Sequence, residues 1–181
     1  MSFDQAIDIP EIFDADDLRV TLLKEKARYS LRLKSQDVTA IKKASGLKLP
    51  AKIMGSTRTK DIICAKLGPD EWIVIADPTQ KVKLDKTLAK VSKEFTCSIT
   101  EISHRNVGFE ISGSEAAQLI NVGCPMDLSL DKFPVGKAVR TLFESASILL
   151  IRTDEHSFHL ECWRSFGPYL RDFFARVIST R

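Results

Sequence analysis

The chain has 181 residues, 44% of them hydrophobic and 28% charged, an ordinary globular composition rather than a disordered one. That length holds one domain with a substantial interior, or two small modules sharing a core. A net charge of +3 is too mild to argue for nucleic acid, no apolar run approaches the roughly 20 residues that cross a bilayer, and no basic-then-apolar leader is present, so a cytoplasmic location is expected.

Residues 1–26 read as an irregular arm. Phe3, Ile7, Ile9, Ile12 and Phe13 are interleaved with Pro10 and acids, and every charge from Asp4 to Asp17 is acidic. Apolar side chains in such an arm need cover, either from their own domain or from a partner. From Tyr29 to Lys34 the pattern alternates, as in a half-buried strand. Ser35 or Asp37 is placed to cap a short helix over 38–44, and Gly46 suits the left-handed position past its end. A loop with Pro50 and Gly55 follows, and from the end of that helix to Lys60 the charges are all basic: Lys42, Lys43, Lys48, Lys52, Arg58 and Lys60. It contains no aromatic residue and so lacks the stacking platform of a single-strand binder. Residues 61–66 form a second strand, 67–71 a Gly-Pro turn and 72–76 a buried strand. Leu84, Leu88, Val91 and Phe95 then mark one face of a helix.

The order recurs in the second half. Residues 96–103 and 107–112 are extended. Ser114 is placed to cap a short helix through Ile120, which Gly123 and Pro125 stop. Strands follow over 139–143 and 147–152, and residues 153–156 turn a hairpin whose returning strand alternates through Trp163. Phe166, Leu170, Phe173 and Val177 face inward on a last helix with Ser165 as its cap. The expected fold class is α+β: two βαββα-like modules with antiparallel sheets, about 28–95 and 96–178, in a single domain over 27–181 behind the arm.

No catalytic set assembles along this chain. His104 and Arg105 lie on a turn with no acid or nucleophile at a diagnostic spacing, so an interface or turn role is preferred to a general base. His156 and His159 sit at a hairpin, where residues three apart point to opposite faces, which disfavours a shared metal. Gly108, Gly113 and Gly123 make no phosphate loop. Cys64, Cys97, Cys124 and Cys162 fit no zinc spacing, and Cys64 and Cys162 read as buried free thiols. Asp127, Asp131 and Arg140 flank the loop 133–136 and are placed to fix it by carboxylate–guanidinium pairing, with contact to a partner as the alternative. Trp163, Arg164, Phe166 and Tyr169 gather the residue types that anchor interfaces, with a core edge as the alternative.

Several stretches, in order across about 67–170, resemble the gamma subunit of heterotetrameric sarcosine oxidase. They are Leu67-Gly68-Pro69-Asp70-Glu71-Trp72, Ser103-His104-Arg105-Asn106-Val107, Ser112-Gly113, Gly123-Cys124-Pro125-Met126-Asp127-Leu128, Phe133-Pro134-Val135-Gly136, Arg140-Thr141-Leu142 and the run from Phe158 to Phe166. The resemblance implies a fold similar to the folate-binding aminomethyltransferase (glycine cleavage T-protein) domain. It implies a non-catalytic gamma subunit acting in assembly and stability. That family's enzyme oxidatively demethylates sarcosine to glycine, yielding hydrogen peroxide and either formaldehyde or methylene-tetrahydrofolate. Its partners are alpha, beta and delta subunits, with FAD, FMN, NAD, tetrahydrofolate and zinc expected on those chains and no cofactor, metal or catalytic residue on this one. Closely similar chains also serve N-methylglutamate dehydrogenase. A stand-alone folate-binding one-carbon protein, using Asp70, Glu71 and Trp72, is the other alternative. The expected partner contacts are Phe3, Ile7, Ile12, Phe13, His104, Arg105, Trp163, Arg164 and Tyr169. Neither nucleic acid nor membrane is an expected partner, and the isolated chain is expected to self-associate through the face its partners would cover.

Overall fold

Apolar residues on both faces of the central strands set the layering. The computed structural model of the chain describes residues 13–15 and 17–180. In chain order its strands are β1 (Phe13–Ala15), β2 (Leu18–Leu22), β3 (Ala27–Leu33), β4 (Ser56–Arg58), β5 (Ile62–Lys66), β6 (Glu71–Ala76), β7 (Cys97–Glu101), β8 (Asn106–Ser112), β9 (Ala138–Phe143), β10 (Ala146–Asp154) and β11 (Ser157–Trp163). The helices are α1 (Val38–Ser45), α2 (Lys81–Glu94), α3 (Ala116–Asn121) and α4 (Gly167–Ser179). All six residues of β6 are buried. Trp72, Val74 and Ala76 enter a core shared with α1 and α2, while Ile73 and Ile75 point the other way. On β10, Ile148 and Leu150 join the core beneath α3 and α4, and Leu149 and Ile151 face Ile73 and Ile75. A strand that is apolar on both faces must lie between two layers. The chain therefore stacks as helices, sheet, sheet, helices.

One sheet has the order β4-β5-β6-β3-β7 and the other β1-β2-β8-β11-β10-β9, with every neighbouring pair antiparallel. The α+β class with two antiparallel sheets is thus the observed one. The division along the chain is different. β7, expected to open the second module, instead pairs with β3, from Tyr29↔Glu101 to Leu33↔Cys97. The expected irregular arm is strand from Phe13: β1 and β2 form a hairpin, and β2 pairs with β8 through Val20↔Ile111. Leu18 and Val20 are buried on either side of exposed Arg19, a three-residue alternation too short to stand out beside Pro10 and the acids. Each sheet is therefore completed by strands from the other half of the chain. Phe3, Ile7 and Ile12 lie outside the described residues, and of Phe13 only the backbone place in β1 is described.

Helix ends follow backbone geometry more than side-chain caps. Gly46 takes the left-handed position at φ 71°, and its N–H donates to the Lys42 carbonyl at 2.9 Å. Ser35, Asp37, Ser114 and Ser165 make no capping bond. Ser114 Oγ instead reaches the Asp17 carboxylate at 3.4 Å, and α4 starts from a 3-10 turn with Pro168 in its first turn. The basic stretch over 42–60 is pinned from inside: Leu47 and Leu49 enter the core, and Trp72 Nε1 donates to the Pro50 carbonyl at 2.9 Å.

Candidate functional site

The layer between the sheets is apolar at its centre and ionic at one side. Arg28 on β3 and Glu161 on β11 point into it from opposite sheets. Arg28 donates from Nε to Oε2 at 2.6 Å and from Nη2 to Oε1 at 3.0 Å, and His159 Nε2 lies 2.8 Å from Oε1. Arg28 and Glu161 are each 1% exposed. Residue 108, facing Glu161 on β8, has to be glycine, because a Cβ there would stand 2.9 Å from the carboxylate. Burial alone would raise the Glu161 pKa, but the His159 hydrogen bond and the Arg28 charge outweigh it and hold the carboxyl below its ordinary range. With both oxygens engaged, Glu161 and His159 act as a clamp between sheets rather than as an acid–base pair.

The clamp also positions the segment after β7. The Arg28 backbone N–H donates to Ser103 Oγ at 3.0 Å, and the Ile102 N–H donates to the Arg28 carbonyl at 2.8 Å. Ser103 is buried, so the 3-10 turn Ser103–Arg105 presents His104 and Arg105 outward. His104 Nδ1 lies 2.8 Å from Glu25 Oε1, Arg164 Nε donates to the His104 carbonyl at 2.9 Å, and Arg164 Nη2 lies 3.6 Å from Glu25. Two of the expected contact residues, His104 and Arg164, therefore come together around Glu25, which sequence reading did not single out, while Arg105 donates from Nε to Asn106 Oδ1 at 3.2 Å.

Trp163 ends β11 and is 53% exposed, its ring 6.5 Å from that of Phe166. Beside it a cleft of about 340 Å³ opens along the uncovered inner face of the six-stranded sheet. Arg105, Arg140, Leu142 and Trp163 form its rim over Ile73 and Leu149. Leu142 is 49% exposed on the edge strand β9 and was missed from sequence; its sole signal was an apolar residue alternating with Val139 and Thr141. Tyr169, 41% exposed on α4, stands with Phe173 at 6.4 Å rather than against Trp163. Half-exposed aromatic and aliphatic side chains rimmed by arginine have the composition of a protein–protein contact.

Arg140 does not pair with Asp127 or Asp131; it reaches across the sheets to both oxygens of Glu71, while Asp127 binds Ser129 and Asp131 binds Lys132. Asp70 pairs with Arg32 at 2.9 Å. Trp72, 1% exposed, is a core residue, so Asp70, Glu71 and Trp72 are not a ligand wall. His156 is exposed in the hairpin turn and His159 is buried on Glu161. Cys64 and Cys162 are buried free thiols, each pushed up to about 12 by burial and therefore unreactive. Among the described residues no group of three or more metal-binding side chains occurs, and no helix is long and apolar enough to cross a membrane.

This layered arrangement is the aminomethyltransferase-type fold. The glycine cleavage system aminomethyltransferase T from Bartonella henselae superposes with a TM-score of 0.68 over 87% of this chain and 45% of that one, at 11% identity. The chain belongs to the "Sarcosine oxidase, gamma subunit family", whose model matches residues 34–178. The sarcosine oxidase subunit gamma of Corynebacterium sp. strain U-96 is 27% identical over 133 residues, 72% of this chain. That match spans 63% of the relative's length. A chain of heterotetrameric sarcosine oxidase from Corynebacterium sp. U-96, solved in complex with pyrrole 2-carboxylate, superposes with a TM-score of 0.82 at 23% identity, over 94% of this chain and 88% of that one.

Proposed function

We propose that this chain is the non-catalytic gamma subunit of a heterotetrameric sarcosine-oxidase-type flavoenzyme and acts in its assembly and stability. The observation that carries this reading is the face around Trp163. A family member presents two large apolar side chains, each about half-exposed, beside an arginine-rimmed cleft, and a solitary soluble domain has little reason to expose them together. On this reading the alpha, beta and delta subunits are the partners. FAD, FMN, NAD, tetrahydrofolate and zinc belong to those chains, and so does the choice between sarcosine and N-methylglutamate. The burial of Trp72 and the pairing of Glu71 with Arg140 argue against a stand-alone folate binder built on those residues.

The test is affinity purification of the tagged chain from its native cell, with absorption spectroscopy of the eluate. A yellow eluate containing larger flavin-bearing chains, bleached on addition of sarcosine, is the expected result. Bleaching by N-methylglutamate alone would reassign the substrate. A colourless, solitary chain would overturn the subunit reading.

A further inference from the structure

Arg152, near the end of β10, is 3% exposed, yet among the described residues no carboxylate forms a close ion pair with it, and Glu155 acts on it only at longer range. Its guanidinium lies over the Phe158 ring, 4.6 Å from the centroid, and Nη2 donates to the Leu128 carbonyl. Nε is buried with no hydrogen-bond partner. A guanidinium stays charged inside a protein, and one without a counter-ion is costly to bury. An anionic group entering beside it would offset that cost.

A cavity of about 280 Å³ opens onto this side chain, between α3 and the segment 127–130. Its buried end holds Arg152 and Phe158, and its exposed end carries Asp127 and Glu155. The 127–130 segment is fixed in place. Asp127 Oδ1 accepts from the Ser129 N–H at 2.9 Å and from Ser129 Oγ at 2.6 Å, and the Asn121 amide donates to the Cys124 and Met126 carbonyls. Glu155 lies 3.8 Å from His156 Nε2, the other titratable group at the mouth.

These charges discriminate among ligands. A plain anion would meet one cation and two carboxylates, a net negative site. A plain cation would meet the buried guanidinium. A small zwitterion satisfies both ends, and the volume suits a ligand smaller than the usual drug-sized occupant. We propose that this cavity binds a free α-amino acid, its carboxylate accepting from the Arg152 guanidinium and its ammonium group facing Asp127 and Glu155. The site lies among different residues from the Trp163 face and does not depend on the assembly reading.

The test is isothermal titration and thermal shift of the full chain with glycine, L-alanine, L-aspartate and L-lysine at about 10 mM, above the millimolar range of a weak site. Acetate and methylammonium serve as single-charge controls. At least one amino acid is expected to bind and raise the melting temperature, with neither control matching it. Arg152→Lys should weaken that binding about 10–100-fold, the loss of one charge-assisted hydrogen bond. Should that variant fail to fold, Asp127→Asn combined with Glu155→Gln, at exposed positions, should weaken the amino acid while strengthening acetate. No binding by any of the four amino acids overturns the proposal. So does acetate binding as tightly as the best amino acid, and so does amino-acid binding unchanged in the Asp127/Glu155 variant.

Discussion

At the scale of single residues, the molecule depends most on a buried ion cluster. Replacing Glu161 by Ala leaves Arg28 charged and unpaired between two sheets, which costs about 3–5 kcal/mol. Urea denaturation should show it, and exchanging both partners for apolar residues should recover part of the loss. The same carboxyl makes stability pH-dependent. Its pKa is lower in the folded chain than in the unfolded one, so its contribution is fully present above the unfolded value, about 4.3, and is lost as pH falls through the folded value. A melting-temperature series below about pH 5 should fall more steeply for the wild-type chain than for Glu161→Gln. Gly108 answers to the same cluster. In Gly108→Ala the new methyl meets Glu161 Oε1 at 2.9 Å and Arg28 Nη2 at 3.3 Å, and both groups are already fixed by their bidentate pairing. A loss of about 1–3 kcal/mol is expected from equilibrium unfolding, with no change in secondary structure by circular dichroism. Gly113 is constrained by backbone instead: at φ 116°, a Cβ would lie 2.2 Å from the Asp17 carbonyl oxygen.

Among the elements, those with a sustained period were legible. The face of α2, with Leu84, Leu88 and Val91 buried, was read from its spacing, and the β10–β11 hairpin from its alternation around a polar turn. The lower halves of those alternations were harder to interpret. His159 and Glu161 look like the solvent face of a strand, and only the presence of a second sheet turns that face inward. Arg28 gave no signal for the same reason, since its partner lies 133 residues away. Arg152 likewise reads as the charged end of a strand. His104, Arg105, Trp163 and Arg164 were singled out because arginine and tryptophan at turns stand out locally, whereas Leu142 shows its exposure only once the sheets are stacked. Pairing between distant strands is invisible to any local pattern, so β7 reads as the start of the second module although it pairs with β3. The β3–β7 pairing has a measurable consequence. A fragment over 27–95 lacks β7 and the Ser103 contact to Arg28, while one over 27–105 retains both. Amide dispersion and hydrogen-exchange protection of β3 should be greater in the longer fragment.

For the whole molecule, the subunit reading predicts a separation of binding from folding. Trp163→Ala with Leu142→Ala removes two half-exposed side chains, so the melting temperature of the isolated chain should hardly move. Affinity for the partner subunits should drop at least tenfold, in the range of interface hot spots, and self-association seen by analytical ultracentrifugation should fall with it. Deleting residues 1–12 tests the acidic arm without touching β1 or Asp17, whose carbonyl accepts from the Glu115 N–H at 3.2 Å. If the arm lies on a partner, the shortened chain should fold but co-purify poorly. The exchange of strands between the halves also governs how the protein is made. During synthesis β2 leaves the ribosome early, but the strand it pairs with follows about 90 residues later, a delay on the order of 5–20 s. Leu18 and Val20 spend that interval without their sheet, so the nascent chain passes through a stage in which its first strands are available to chaperones or to a neighbouring nascent copy. Slower translation between residues 22 and 106 should lengthen that stage and lower the yield of native protein.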